Sequence, residues 1–274
     1  MQGASGRRVA SLVVATAIVA AGTGIAVAQG AKPLSKCAPD AVVAGTVCVD
    51  RWEASLWRVP NATGVNAKLV KRIRQGKATY AQLAAAGALL LGIPADNYAP
   101  CADDGTGCSD VFALSLPGIK PSAYLTWFQA KAACANAGKR LPTNAEWQAA
   151  AIGTPDPGGD NGTTDCNTSS VVTAVNTGSR SACVSKRGAF DMVGNLWEWV
   201  EDRLPRSTGC GSWGATVSAT GDLQCLAGAA TSGEPGALLR GASFVNTGNA
   251  GPLSIAGDQP PSASFHFVGV RCVR

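Results

Sequence analysis

The run AFDMVGNLWEWVED, from Ala189 to Asp202, holds residues whose types and spacing could do chemistry. Asp191 and Glu198 bracket a Gly194-Asn195 pair, and Trp197 and Trp199 flank the glutamate in a chain with only 7 tryptophans among 274 residues. Two carboxylates held close together repel one another unless a cation or a fixed arginine lies between them. The run is therefore either a cation site or a demanding core built around a buried ion pair.

Counting removes other chemistries. His266 is the single histidine. Ser-His-Asp hydrolysis would have to use it as base, and histidine-built zinc or iron centres need more than one, so both are disfavoured. The 10 cysteines are even in number and form no C-x-x-C zinc pattern. Their spacing suggests small closed loops at Cys37/Cys48, Cys101/Cys108, Cys166/Cys183 and Cys210/Cys225, which leaves Cys134 and Cys272 as a long-range pair. Sequence alone does not fix that connectivity. The formal charge of +5 has only one basic cluster beyond the N-terminus, KRIR at Lys71 to Arg74, so no nucleic-acid partner is expected.

Arg7 and Arg8 precede an apolar run ending in Ala26-Val27-Ala28, the small-x-small pattern of a signal-peptidase site. The reading is a signal peptide over 1–28, a short linker over 29–36 and one domain over 37–274. An uncleaved anchor is the rival, because the run is long enough to span a bilayer; a membrane partner is expected only in that case. The arginine pair leaves the general and twin-arginine routes both open. An oxidising destination, periplasmic or extracellular, agrees with the cysteine content.

The elements that must position these residues follow from local pattern. Ala41 to Trp57 reads as strand, turn at Gly45, strand. The alanine-leucine stretch Ala78 to Pro94 reads as a helix stopped by Gly92 and Pro94. Asn97 to Gly118 reads as turn-rich, with CADDGTGC a loop pinned by its own disulfide. Trp127, Ala130 and Cys134 share one helical face, with Ser122 as expected cap and Gly138 as the end. Thr143 and Glu146 stand at the positions of a capping box opening a second helix. Thr154 to Arg187 reads as a long loop stapled by Cys166 and Cys183, and Asp202 to Arg274 as short strands between long loops.

Four blocks, VCVDRWEASL, WFQAKAACANAGKRLPTNAEW, GAFDMVGNLWEWVED and LLRGASF…FVGVRCV, resemble in this order the formylglycine-generating enzyme, or sulfatase-modifying factor, family. The resemblance implies an α+β, elaborated C-type-lectin-like fold: short twisted antiparallel strands, two or three helices, long loops and disulfide staples. It also supports pairing Cys134 with Cys272, since lectins of this type join a helix cysteine to the last strand. It further implies a structural calcium held by the side chains of Asp191 and Glu198 and the carbonyls of Gly194 and Leu196, oxygen donors of the kind Ca²⁺ takes.

The activity implied by the resemblance meets an obstacle. Family members that oxidise a sulfatase cysteine bind Cu(I) through two cysteines that follow the arginine of an RGGS block. Soft thiolates are what Cu(I) requires. Counted from Arg240, those places hold Asn246 and Gly251, so no copper is expected. The expectation is an exported module that binds an unknown peptide, glycan or protein through Val245 to His266, with Arg240, Ser243, Asn246, Asn249 and His266 as candidate ligand-binding residues and none assigned as catalytic. The alternative is an enzyme of altered chemistry acting on a peptide or a siderophore-like substrate.

Overall fold

A computed structural model describes residues 34–156, 158–211, 214–217 and 221–274. The signal-peptide expectation over 1–28 lies outside the described residues. The chain opens with the hairpin β1 (Ala41–Ala44) and β2 (Val47–Asp50), which turns at Gly45 with φ of 67°, a left-handed position where glycine carries no Cβ penalty. β3 (Ala54–Arg58) then enters a second sheet.

Two helices follow. α1 (Ala67–Arg74) buries Leu69, Val70 and Ile73 and contains the KRIR cluster. α2 (Tyr80–Ala85) is capped by a reciprocal Thr79 and Gln82 box. It is far shorter than the Ala78 to Pro94 helix expected. Gly87, at φ of 67°, ends the helical path, and the leucines beyond form β4 (Leu89–Leu90), paired antiparallel with Arg58 and Trp57 of β3. Sheet hydrogen bonding overrode alanine propensity there.

β5 (Val111–Ser115) completes a three-stranded sheet in the order β4-β3-β5, inside the stretch expected to be turn-rich. α3 (Trp127–Asn136) packs on β5 and buries Trp127, Ala130 and Cys134 as the spacing required. Its cap is Thr126, in a box with Gln129, and not Ser122. The Ser122 hydroxyl instead accepts from Leu56 N at 2.8 Å and donates to the Leu91 carbonyl at 2.6 Å. Gly138 closes the helix at φ of 70°. α4 (Asn144–Ala151) carries the expected Thr143 and Glu146 capping box.

The remaining strands are β6 (Trp197–Leu204), β7 (Gly209–Gly211), β8 (Gln224–Ala227), β9 (Gly236–Arg240), β10 (Ile255–Ala256) and β11 (Val268–Val270), with the one-turn helix α5 (Gly214–Val217) after β7. They form a sheet in the order β11-β6-β9-β10-β8-β7. Most pairings are antiparallel, but β11 runs parallel to β6 and β10 parallel to β8, a departure from the all-antiparallel expectation. The architecture is the elaborated C-type-lectin-like α+β fold implied by the resemblance. Among the described residues it carries five α-helices where two or three were expected, and no helix long and apolar enough to cross a membrane.

All five expected disulfides are present: Cys37–Cys48, Cys101–Cys108, Cys134–Cys272, Cys166–Cys183 and Cys210–Cys225. They belong to an oxidising environment. The Cys134–Cys272 bridge ties α3 to the chain terminus across a separation of 138 residues.

Candidate functional site

Strand alternation sorts the opening run into two faces. Trp197 and Trp199 point into the largest apolar cluster, with Leu125, Trp127 and Val268. Glu198 points the other way, where its carboxylate accepts from Arg271 Nε at 3.1 Å, Arg271 Nη2 at 2.8 Å and Trp147 Nε1 at 2.6 Å. Arg271 also donates from Nη1 to the carbonyl of Asp50 and from Nη2 to that of Phe190. Both charged side chains are fully buried.

Asp191, also buried, accepts from Gly178 N at 2.8 Å. Burial pushes its carboxyl up to about 7, against the Gly178 hydrogen bond and the Arg271 charge. Glu53 is the third buried acid here. Burial, followed by the charges of Asp191 and Glu198, raises it well above the ordinary carboxyl range. It receives Leu196 N at 3.0 Å and the Asn195 amide. The left-handed backbone at Asp191, Gly194 and Asn195 lets this short run turn its amides toward Glu53. The ligand set implied for calcium does not fit as these side chains stand, because both oxygens of Glu198 are engaged by Arg271 and Trp147. Among the described residues no three or more His, Cys, Asp or Glu side chains are arranged so that they could hold a metal ion.

The same run positions a second group of residues. Asn195 O accepts from Phe244 N at 3.1 Å, Phe267 O accepts from Trp197 N at 2.9 Å, and the Trp199 indole donates to Leu125 O at 3.1 Å. These bonds fix Tyr124, Phe244 and Phe267 around the exposed His266. Ring centroids lie 6.2 Å from His266 to Tyr124, 5.9 Å to Phe244 and 5.0 Å to Phe267. Tyr124 N donates to Phe265 O, and Tyr124 sits at φ of 57°. Thr247, three residues past Phe244, sits at φ of 52° and donates its N–H to Thr168 O. A bulky and a β-branched residue in the left-handed region are held there only by over-determined surroundings, a feature that concentrates at functional sites.

The expected ligand-binding residues separate on this frame. His266 and Asn249 are exposed and Asn246 is half-buried. Ser243 is buried, with its N–H and hydroxyl both on the Asn246 Oδ1 at 3.0 and 2.9 Å, so it shapes the loop. Arg240 is buried as well. It lies over the Trp147 ring at 4.9 Å and donates to the carbonyls of Pro252, Leu253 and Ser254. Burial lowers its guanidinium to about 10, with Asp222 opposing. Arg240 therefore holds the 252–254 turn. Tyr124 and Phe244 were missed by sequence reading; a tyrosine just ahead of a capped helix gives no signal of its own.

The places of the two copper thiolates are filled. Asn246 Oδ1 is occupied by Ser243, and a Cβ added at Gly251 would lie 2.3 Å from both carboxylate oxygens of Asp222. All ten cysteines are already bridged, so none offers a thiolate.

Fold and disulfide frame thus define a lectin-like α+β domain of the sulfatase-modifying type. The sequence model of the sulfatase-modifying factor enzyme 1-like domain matches residues 112–274, more than half of the chain, and the chain belongs to that family. It is similar to the hercynine oxygenases of Mycolicibacterium thermoresistibile, 32% identical over 111 residues, and of Mycolicibacterium smegmatis, 31% identical over 111 residues. Those matches take in 37% of this chain and 25% and 26% of the relatives, so the chain spans about a quarter of their length. Among solved structures, the Major Tropism Determinant M1 variant matches at a TM-score of 0.45 with 21% identity, covering 88% of this chain and 54% of that one. The P3c variant matches at 0.37 with 28% identity, covering 54% and 37%.

Proposed function

We propose that this chain is an exported ligand-binding member of the sulfatase-modifying factor family, without sulfatase-cysteine oxidase activity. The supporting observation is His266, exposed amid the half-buried Tyr124 and Phe267 and the buried Phe244, which leads directly into a loop where Val245 and Asn249 are exposed. Aromatic faces beside adaptable amides suit recognition of a peptide or glycan, because rings give contact area at low entropic cost and amides supply orientation. Arrays of peptides and glycans probed with the disulfide-intact protein test it. Binders of the wild type are expected to be lost on Tyr124→Ala and on His266→Ala, with melting temperature retained. Binders kept by both variants would contradict the assignment.

A second reading, an enzyme of altered chemistry, draws on the printed name of the relatives, hercynine oxygenase. Its support within this chain is the buried acid Asp222, whose charge reaches the buried Arg240. Structural calcium at Asp191, Gly194, Leu196 and Glu198 stays a proposal of the family resemblance, in competition with Arg271.

A further inference from the structure

A cleft of about 590 Å³ opens between the α1–α2 connection and the end of β5, sharing no lining residue with the His266 face. Trp52 and Tyr80 supply aromatic walls, and Leu116 and Pro117 an apolar side. The volume falls within the range of small-molecule sites, which pair apolar walls with a few placed polar groups.

The charges at this cleft do not cancel. Asp40 is its one acidic lining residue, and its oxygens are taken by Arg274 at 2.8 and 3.0 Å and by Lys139 at 3.2 Å. Lys139 is shared with the buried Asp50 at 2.6 Å. Two acids and two cations are thus neutralised within the wall. Arg72 and Lys77 remain, both exposed and both lining the cleft. Arg72 is pre-organised: its Nε donates to Gln82 Oε1 and its Nη2 to Lys77 O, each at 3.0 Å. A fixed guanidinium with a free edge suits a carboxylate, and it loses little entropy on binding one.

We propose that this cleft binds a small amphipathic carboxylic acid, its flat apolar body against Trp52, Tyr80, Leu116 and Pro117 and its carboxylate at Arg72 and Lys77. An uncharged body would use the walls but not the cations. A basic polymer-binding ridge would not need the walls.

Calorimetric titration with naphthoate and with its uncharged amide tests this on the disulfide-intact protein. Saturable naphthoate binding is expected, with Arg72→Gln and Lys77→Gln each weakening it about tenfold and leaving the amide unchanged, the scale of one charge-assisted contact. Tyr80→Ala should weaken both ligands. Lys77→Gln leaves the carbonyl that anchors Arg72 in place, so it remains a fair test if Arg72→Gln loosens the turn. No saturable binding, or a naphthoate affinity unmoved by Lys77→Gln, would overturn the proposal, as would loss of naphthoate binding in the His266→Ala protein.

Discussion

Arg271 grips Glu198 from the last strand region, Nη2 on Oε1 at 2.8 Å and Nε on both oxygens at 3.1 Å, and neither side chain reaches solvent. The glutamate between two tryptophans is thus the acceptor of a buried, fully hydrogen-bonded pair. Removing one partner of such a pair leaves the other charge buried without compensation, which costs about 3–5 kcal/mol. Glu198→Gln is expected to lower stability on that scale, measured as a shifted urea midpoint with unchanged slope.

Calcium and Arg271 make opposite predictions for the native protein. With Arg271 as the resident cation, melting in EDTA and in millimolar Ca²⁺ should coincide. A structural Ca²⁺ bound only to the folded state would instead add about 2.7 kcal/mol at a hundredfold excess over its dissociation constant. A melting temperature that falls in EDTA for the wild type, and no longer does so for Asp191→Asn, would favour calcium at Asp191 and Glu198 instead.

Asp160 is expected to make the long loop acid-sensitive. Burial would raise its carboxyl, but the Ser170 hydroxyl and the N–H groups of Gly162, Ser170 and Ser169 outweigh it and hold the group down at about 2. Arg180 lies 3.5 Å away. A depressed carboxyl contributes stability that is complete above its ordinary value of 3.8 and is lost as pH falls through about 2. Amide exchange in residues 158–170 should accelerate over that window in the wild type. In Asp160→Asn the loop should exchange faster at neutral pH and lose the acid dependence.

The Cys134–Cys272 bridge closes the longest loop, 138 residues, and the chain-entropy relation gives about 5 kcal/mol as its upper contribution. Replacing both cysteines by alanine should lower unfolding stability by several kcal/mol, to about that limit. Alkylation of the untreated protein before mass measurement should find no free thiol.

The parts of the fold legible in sequence were those encoded locally. Thr143 and Glu146 announce α4 because a capping box is a short-range pattern, and the cysteine spacings announced four closed loops for the same reason. Features decided by tertiary partners were not legible. Leu89 and Leu90 left the helix for β3, and Ser122 took Leu56 and Leu91 as partners in place of a helix end. Arg271 lies 73 positions from Glu198, so no window of sequence reveals their pairing. The His266 face is likewise assembled from three distant segments.

The proposed absence of sulfatase-cysteine oxidase activity is tested most directly by incubating the purified chain with Cu(I) and a sulfatase-derived Cys-x-Pro-x-Arg peptide in air, then probing the peptide for an aldehyde. Asn246 held by Ser243 and Gly251 pressed against Asp222 leave no place for a thiolate pair, so no aldehyde should form beyond a copper-only control. Formation of formylglycine above the copper-only control would contradict the account.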